Sequence, residues 1–387
     1  MTLKRNSKLF LVLFLGTLSA FGPFVTDLYL PALPTMSSYF NSSTSTIQLT
    51  LTGSMVGLAL GQLLIGPISD KYGRKNPLII SLIVYLISTI AIIIFPNVYA
   101  MIALRFIQGV SSAGAVVISR AISTDLYHGR ELAAFFALLM AVNGLAPILS
   151  PILGSLLLEL TDWRGIFVTL ALIGVILLAV SFKFKESLAI EKRLDLPITK
   201  TYYSIVHVMK NRLFFALVIV QGFALAAMFA YIAASPFILQ THYSLSPLMY
   251  SLCFGLNGFA IVLGSKSAGN FKEKVSIKLG LSLMLLVSIY LAVALTLTLP
   301  FLFIEVGFFL LLLGLGFILP AGSAIAMSLE RERAGSASAF FGFVPFFLGG
   351  VVSPLVGIGN IFHSSAIAIV ICSAISFITF KLVEKKI

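Results

Sequence analysis

The sequence predicts an all-α membrane protein with twelve transmembrane helices, arranged as two six-helix bundles with both termini in the cytoplasm. The first observation is composition, because 59% of the 387 residues are hydrophobic and only 10% are charged. A soluble domain carries about a quarter charged residues, so this chain is expected to lie in a lipid bilayer. The other two observations are the spacing of its apolar runs and the placement of its basic residues.

Apolar runs of membrane-spanning length recur along the chain. A helix needs about 20 residues to cross a bilayer, and twelve segments come close to that length. The first run follows basic residues as a signal peptide would, but it lacks an A-x-A cleavage site and is too long, so we interpret it as the first span. We expect spans at 9–34, 46–65, 77–95, 98–121, 133–158, 165–182, 213–236, 247–265, 276–297, 300–326, 334–357 and 363–382.

Basic residues lie in alternate connections. One set of connections carries nearly all of them, whereas the other carries a single one, Arg164, beside Trp163. The positive-inside rule places the basic set and both termini in the cytoplasm. Confinement to short loops also argues against nucleic acid as a partner, although the formal charge is +12. The basic set comprises Lys4, Arg5, Lys8, Lys71, Arg74, Lys75, Arg130, the basic residues of 183–212 and 266–278, Arg331, Arg333 and those of 381–386.

The longest polar stretch, 183–212, divides the spans six and six. It mixes charged residues with one proline, so we interpret it as a cytoplasmic linker that includes a short surface helix. The predicted domains are therefore an N-terminal bundle at 1–182 and a C-terminal bundle at 213–387. A faint repeat agrees with this division, because Gly144 and Pro147 recur 198 residues later.

A charged ten-residue motif separates the second and third spans. It reads G-x-x-x-D-x-x-G-R-K between Gly66 and Lys75 and includes Asp70, Gly73 and Arg74. Between two spans, such a turn must lie at a water-facing surface. Charge alone is equally compatible with an ordinary positive cytoplasmic loop, but the spacing is far more specific.

Few charged residues lie inside the predicted spans, where each is costly unless it is paired or hydrated. Asp27 lies in the first span and Arg105 in the fourth. They could form a structural salt bridge, or Asp27 could be a carboxylate whose titration depends on access and on the arginine. The second reading is favoured, because a deep charge pair rarely improves stability. Arg120 is expected to pair with Asp70 or Asp125 at the cytoplasmic face. Glu305, near the outer end of the tenth span, is expected to stay hydrated.

The fifth span carries Gly144, Pro147, Pro151 and Gly154 on one face. Small residues allow a neighbouring helix to approach closely, and the prolines bend the helix. Polar residues within the spans need partners or a watery cavity. For each of them, lining a central substrate cavity and hydrogen bonding to another helix remain alternatives. The candidates for the cavity are Tyr29, Gln48, Thr52, Gln108, Asn143, Gln221, Tyr231 and Asn257.

Together these motifs resemble one group of transporters. The motifs are T-D-L-Y-L-P-A-L-P, G-Q-L-L-x-G-P-x-S-D-x-x-G-R-K, L-R-F-I-Q-G, G-L-A-P-I-L-x-P-x-L-G, F-A-Y-I-x-A-S-P-F and A-G-S-A-S-A. They are similar to those of the Bcr/CflA group of the major facilitator superfamily, drug:proton antiporters of bacterial inner membranes. The resemblance covers nearly the whole chain. One departure is Ala146, which stands where many members have glycine in the antiporter signature Gly144–Gly154.

The resemblance implies export of small amphipathic drugs in exchange for protons by alternating access. Asp27 would bind the proton, and Arg105 would tune the pKa of Asp27. The Gly66–Lys75 motif with Arg120 would act as a cytoplasmic latch. Endogenous metabolites or siderophores are alternative substrates, and a non-transporting receptor is the alternative class. No enzyme activity, metal or cofactor is expected, because catalytic or metal-binding spacings and a G-x-x-x-x-G-K-[ST] loop are missing from the sequence. The expected partners are a small-molecule substrate, protons and lipid, and the expected state is a monomer in the bacterial inner membrane.

Overall fold

The computed structural model describes residues 7–193, 198–330 and 333–386, and every regular element in them is helical. In these residues, twelve helical segments are long and apolar enough to span a membrane, which confirms the predicted number. Lys4, Arg5, Arg331 and linker residues 194–197 lie outside the described residues. The helices are α1 (Lys8–Asp27), α2 (Leu33–Tyr39), α3 (Thr44–Tyr72), α4 (Lys75–Ile94), α5 (Val98–Leu126), α6 (Gly129–Leu160), α7 (Trp163–Lys183), α8 (Ile198–Met209), α9 (Arg212–Pro236), α10 (Pro247–Ala268), α11 (Glu273–Thr296), α12 (Phe301–Leu329), α13 (Ala334–Leu355) and α14 (Ile361–Val383).

Several helices extend beyond the apolar runs that predict them. The second span was expected to end at 65, but α3 continues to Tyr72. The fourth was expected to end at 121, but α5 continues to Leu126. Hydropathy marks only the part of a helix that suits hydrocarbon, whereas hydrogen bonding within the helix continues into polar turns. The helix predicted within the linker is α8.

The chain forms two compact units. The first comprises Met1–Leu30 and Gly53–Tyr202, and the second comprises Pro31–Thr52 and Tyr203–Ile387. In the first unit, α5 packs against α1 and α4, and α7 packs against α4. In the second, α12 packs against α10 and α11, and α9 packs against α13 and α14.

Glycines set the close approach of helices in the first unit. Gly53, Gly57 and Gly61 are four residues apart on α3, so they lie on one face. A Cβ on Gly53 would lie 2.7 Å from the Ile102 carbonyl oxygen of α5, and a Cβ on Gly57 would overlap the Phe106 carbonyl. Without side chains between them, the two backbones pack directly, as small-residue repeats permit in membrane helices.

The segment Pro31–Thr52 is tied to the rest of the second unit by hydrogen bonds from side chains to backbone. Ser45 Oγ donates to the Pro354 carbonyl at 2.9 Å, and Gln48 Nε2 donates to the Ala233 carbonyl at 2.8 Å. In the opposite direction, Gln240 Nε2 donates to the Pro31 carbonyl at 3.2 Å. These bonds explain why a segment from the first two predicted spans clusters with residues far along the chain.

Candidate functional site

The two charged residues expected deep in the spans both lie in the interior of the first unit. Asp27 is the last residue of α1 and is 8% exposed, and Arg105 of α5 is fully buried. The guanidinium Nη1 donates to the Val25 carbonyl at 3.0 Å and to Gln108 Oε1 at 2.6 Å. Its positive charge also acts on the Asp27 carboxylate. The fold therefore holds an arginine against the end of α1 that carries the carboxylate.

A hydrogen-bond chain fixes the position of Arg105. Gln108, which accepts from the guanidinium, donates through Nε2 to Thr89 Oγ1 at 2.7 Å, and Thr89 donates to the Tyr85 carbonyl at 2.7 Å. On the other side, the guanidinium lies over the Tyr29 ring at 4.2 Å from its centroid. A cation–π contact and charge-assisted hydrogen bonds both favour the ionised arginine in a place without bulk water.

Most of the other predicted cavity residues form hydrogen bonds with neighbouring helices. Gln48 donates to Ala233 as described, Asn143 Nδ2 donates to Ser19 Oγ, and Gln221 Nε2 donates to Ser323 Oγ at 3.5 Å. Thr52 is partly exposed. Tyr231 and Asn257 are buried together in the second unit. The structure thus assigns helix contacts to most of these residues, and a role in binding substrate stays a prediction.

The charged motif Gly66–Lys75 is mostly helical, contrary to its interpretation as a loop. Residues Gly66 to Tyr72 form the last turns of α3, and only Gly73 and Arg74 connect them to α4. Gly73 has φ of +88°, a backbone conformation that side chains disfavour. A Cβ there would also lie 2.6 Å from Glu186 Oε2. The sharp turn is therefore possible because Gly73 has no side chain.

Arg74 is the centre of the charge cluster at this turn. It forms ion pairs with Asp70 and, at 2.9 Å, with Asp125 of α5. Burial alone would lower the pKa of Arg74, but the hydrogen bonds and charges of Asp125 and Asp70 outweigh it, so the pKa is raised. Arg120 was expected to be the partner of these carboxylates. In the described part of the chain no ion pair of Arg120 is found, since Arg74 occupies both acids.

Glu186 is a fourth member of this cluster, and no sequence pattern predicts it. Its carboxylate accepts the backbone N–H of Arg74 at 2.9 Å and that of Lys75 at 3.1 Å. These are N–H groups at the start of α4, which lack partners within the helix and carry its positive dipole. Glu186 lies just after α7, inside the predicted linker, where an acidic residue looks like ordinary linker composition.

The four residues of the fifth-span motif meet different surroundings on α6. Gly154 is buried, and a Cβ there would overlap the Leu28 carbonyl oxygen. Gly144 is exposed, with nothing within 4 Å of a Cβ. Pro151 is buried, and Pro147 is intermediate. A single close-packed face was expected, but in this structure only the Gly154 end of the motif is closely packed.

Glu305 differs from its expected state. It was expected to stay hydrated near the end of its span, but it is 5% exposed and hydrogen-bonded by Asn257. Position along a span does not reveal which face of α12 the residue occupies, and this face is directed to α10.

For metals, the described residues contain no cluster of three or more His, Cys, Asp or Glu side chains that could hold an ion.

These features define a class of protein. Twelve membrane-spanning helices in two units, with charges buried inside the bundle, are typical of secondary transporters. The profile of the Major Facilitator Superfamily matches residues 9–354. The chain therefore belongs to the major facilitator superfamily and is a multi-pass membrane transporter.

Individual relatives agree with this assignment. The uncharacterized MFS-type transporter YdgK of Bacillus subtilis (strain 168) is 36% identical over 92% of this chain and 90% of its own length. A bicyclomycin resistance protein homolog of Haemophilus influenzae is 28% identical, over 70% of this chain and 69% of its own length. A chloramphenicol resistance protein of Pseudomonas aeruginosa is 27% identical, over 63% of this chain and 57% of its own length.

A solved structure shares the fold. A bacterial homolog to the human lysosomal transporter Spinster aligns with a TM-score of 0.76 at 15% identity, over 97% of this chain and 98% of that chain. The resemblance to the bicyclomycin and chloramphenicol resistance group, predicted from the motifs, is confirmed by the named relatives.

Proposed function

We propose that this transporter exports small amphipathic molecules of the antibiotic type in exchange for protons, by alternating access in a bacterial inner membrane. The observation that carries the proposal is the buried carboxylate of Asp27 under the charge of Arg105. A charged group inside a membrane bundle is retained where it moves ions or binds substrate. The names of the relatives support the substrate class.

The coupling follows from competition between two states of one carboxylate. A proton entering from outside neutralises Asp27 and removes its attraction to Arg105. A substrate entering from the cytoplasm favours the ionised form, so binding of substrate expels the proton and binding of the proton expels substrate. The proton gradient then supplies the energy, no cofactor is required, and the transporter works as a monomer with both termini in the cytoplasm.

A growth screen tests the proposed function. An efflux-deficient bacterium that expresses the chain would be challenged with a panel that includes chloramphenicol, bicyclomycin and metabolites, with empty vector as the control. We expect the chain to raise the inhibitory concentration of several amphipathic drugs, and those drugs to release protons from acidified inverted vesicles. Protection against metabolites alone would make the chain a metabolite exporter. Absence of any flux in proteoliposomes under every gradient would make it a receptor.

The cluster around Arg74 leads to a prediction about the transport cycle. We expect Asp70→Asn to slow transport without unfolding the protein. The Asp70 side chain is half exposed, and Arg74 keeps its buried bond to Asp125. If the Asp70 charge stabilises only the state that is closed at the cytoplasmic side, its loss favours the inward-facing state. A change in the ratio of outward-facing to inward-facing protein from 10:1 to 1:1 needs about 1.4 kcal/mol. One partly buried ion pair can supply that free energy.

Spin labels on the cytoplasmic ends of α3 and α13 would report this shift. The control is Glu131→Gln, which removes an exposed carboxylate from the first turn of α6. Cytoplasmic substrate affinity should be equal or higher in Asp70→Asn. If the distribution of distances between the two spin labels is the same in Asp70→Asn and wild type at every pH, the motif marks topology and has no role as a latch.

A further inference from the structure

Helices α9, α10 and α12 bring three polar side chains together inside the second unit. They are Tyr231 of α9, Asn257 of α10 and Glu305 of α12. Asn257 Nδ2 donates to Glu305 Oε1 and to the Tyr231 hydroxyl, each at 3.0 Å. Glu305 is 5% exposed and Asn257 is fully buried. A carboxyl group therefore lies within the bundle, in the unit that does not contain Asp27.

Among the described residues, no positively charged side chain lies close enough to Glu305 to balance the charge of its ionised carboxylate. Phe254 and Phe308 pack on the Tyr231 ring, with centroids 5.9 Å and 4.7 Å away. Among the described residues, no Lys or Arg nitrogen lies within 4.0 Å of Glu305, in contrast to the acids that pair with Arg74. An unpaired carboxylate in such a place is costly, because water is removed and no opposite charge replaces it.

The other titratable groups nearby are neutral ones. Tyr231 of α9 and Cys253 of α10 interact with the Glu305 carboxyl group, and Tyr250 of α10 acts on Tyr231. On α11, Tyr290 donates to the Phe303 carbonyl at 3.0 Å. The sequence of α13, from Ala334 to Leu355, contains no titratable residue. No helix packed on α12 therefore presents a cation to this site among the described residues.

Two buried oxygen atoms of the cluster lack hydrogen-bond partners. They are Glu305 Oε2 and Asn257 Oδ1, neither of which accepts a hydrogen bond among the described residues, although the weakly donating Cys253 thiol lies beside the Glu305 carboxyl group. Both atoms are acceptors when Glu305 is ionised, so they cannot satisfy each other. Their residues are nevertheless already joined by the bond from Asn257 Nδ2 to Glu305 Oε1.

One proton removes both deficits. A carboxylic acid presents one acceptor and one donor, and a primary amide presents the complementary pair. The existing bond from Nδ2 to Oε1 is one half of such an acid–amide pair. A proton on Oε2 turns that oxygen into a donor to Asn257 Oδ1, which completes the second half. Satisfying two buried polar atoms at once is worth more than a typical exposed hydrogen bond.

We propose that Glu305 and Asn257 form a second proton-binding site, in which the proton is held on Glu305 Oε2 and shared with Asn257 Oδ1. The proton is taken from water when the site is accessible and is returned to water unchanged, so no further reactant is needed. A role of this site in coupling rests on the proposed proton-driven export, and it would add a proton-binding group in the second unit. Proton binding itself can be tested without any transport.

Thermal unfolding of the full-length protein in detergent is the first test. Glu305→Gln replaces the donor oxygen by an amide nitrogen and imitates the protonated form, whereas Glu305→Ala removes the pair. A proton bound only by the folded state stabilises it most at low pH. We expect the melting temperature of wild type to fall as pH rises from about 5 to about 9, and that of Glu305→Gln to fall less. At high pH Glu305→Gln should be the more stable protein, and Glu305→Ala the least stable.

Infrared spectroscopy provides a second readout that does not depend on folding stability. Wild type should show the carbonyl band of a neutral carboxylic acid that is absent from Glu305→Gln and retained in Asp27→Asn. Asn257→Ala should shift this band, because both hydrogen bonds between the amide and the acid are lost. An unchanged band in Glu305→Gln, together with a pH dependence of melting equal to wild type, would overturn the proposal.

Sodium is the other ion that an oxygen cluster of this kind could bind. If NaCl but not choline chloride raises the melting temperature of wild type at high pH, and Glu305→Gln abolishes this effect, the site takes a metal cation and the proton assignment is wrong. These measurements also separate the two proposals. If the protein shows no transport activity, the melting and infrared results still test proton binding at Glu305. If the melting and infrared experiments contradict proton binding at Glu305, proton coupling through Asp27 is unaffected.

Discussion

Asp27→Asn is expected to abolish proton-coupled export while the protein remains folded in the membrane. Asparagine has nearly the same shape as aspartate but cannot release or bind a proton in the working pH range. Arg105 keeps its bonds to the Val25 carbonyl and to Gln108, so the packing of α1 against α5 should persist. The Arg105 charge loses a nearby carboxylate, but these bonds and the Tyr29 ring under the guanidinium continue to stabilise it.

The measurement is proton release from purified protein or inverted vesicles when a substrate from the growth screen is added. Asp162→Asn is the matched control, because it removes a carboxylate that is more than half exposed and paired with Arg164. The control should release protons like wild type, and Asp27→Asn should release far fewer. Substrate-driven proton release of wild-type size from Asp27→Asn would show that Asp27 is not the coupling carboxylate.

Gly154→Ala is expected to impair folding or transport strongly, whereas Gly144→Ala is expected to be nearly neutral. Both glycines belong to the same motif on α6, and both substitutions gain about 1 kcal/mol of helix propensity. The difference is steric. A methyl group at Gly154 overlaps the Leu28 carbonyl oxygen, so the backbone must move, whereas one at Gly144 meets nothing within 4 Å.

The yield of monodisperse protein and its melting temperature in detergent would compare the two variants, followed by transport for whichever folds. Gly154→Leu adds more bulk at the same place and should be worse than Gly154→Ala. Equal behaviour of Gly144→Ala and Gly154→Ala in all three measurements would contradict the packing of α6 against the end of α1. Both results follow from geometry at single atoms, which makes them direct tests of the structure.

The architecture was predictable because the bilayer imposes strong rules on sequence. Every spanning segment must be apolar over about 20 residues. The twelve spans, the family and the helix within the linker were all read from patterns of this kind. The ends of the spans were less accurate, as the continuation of α3 to Tyr72 shows. Polar residues that extend a helix beyond hydrocarbon obey no hydropathy rule.

The site was predictable in its residue types but not in its pairs. Asp27 and Arg105 stand out because charge is rare inside a span. The partner of Asp70 and Asp125 does not stand out, because the sequence favours Arg120 whereas Arg74 forms both pairs. Glu186 was invisible because its role depends on where the chain after α7 returns. A one-dimensional pattern cannot reveal which of several nearby cations reaches an acid.

By itself, the sequence determined that this chain is a twelve-span membrane protein of the major facilitator superfamily, with a charged turn after the second span. The reason is that hydrophobicity and charge act on each segment separately and leave a local record. Tertiary structure alone decided that Glu305 is buried beside Asn257 and that Gly154, not Gly144, is closely packed. Those outcomes depend on which helix face meets which neighbour, and a rotation of a few tens of degrees, too small to change hydropathy, decides them.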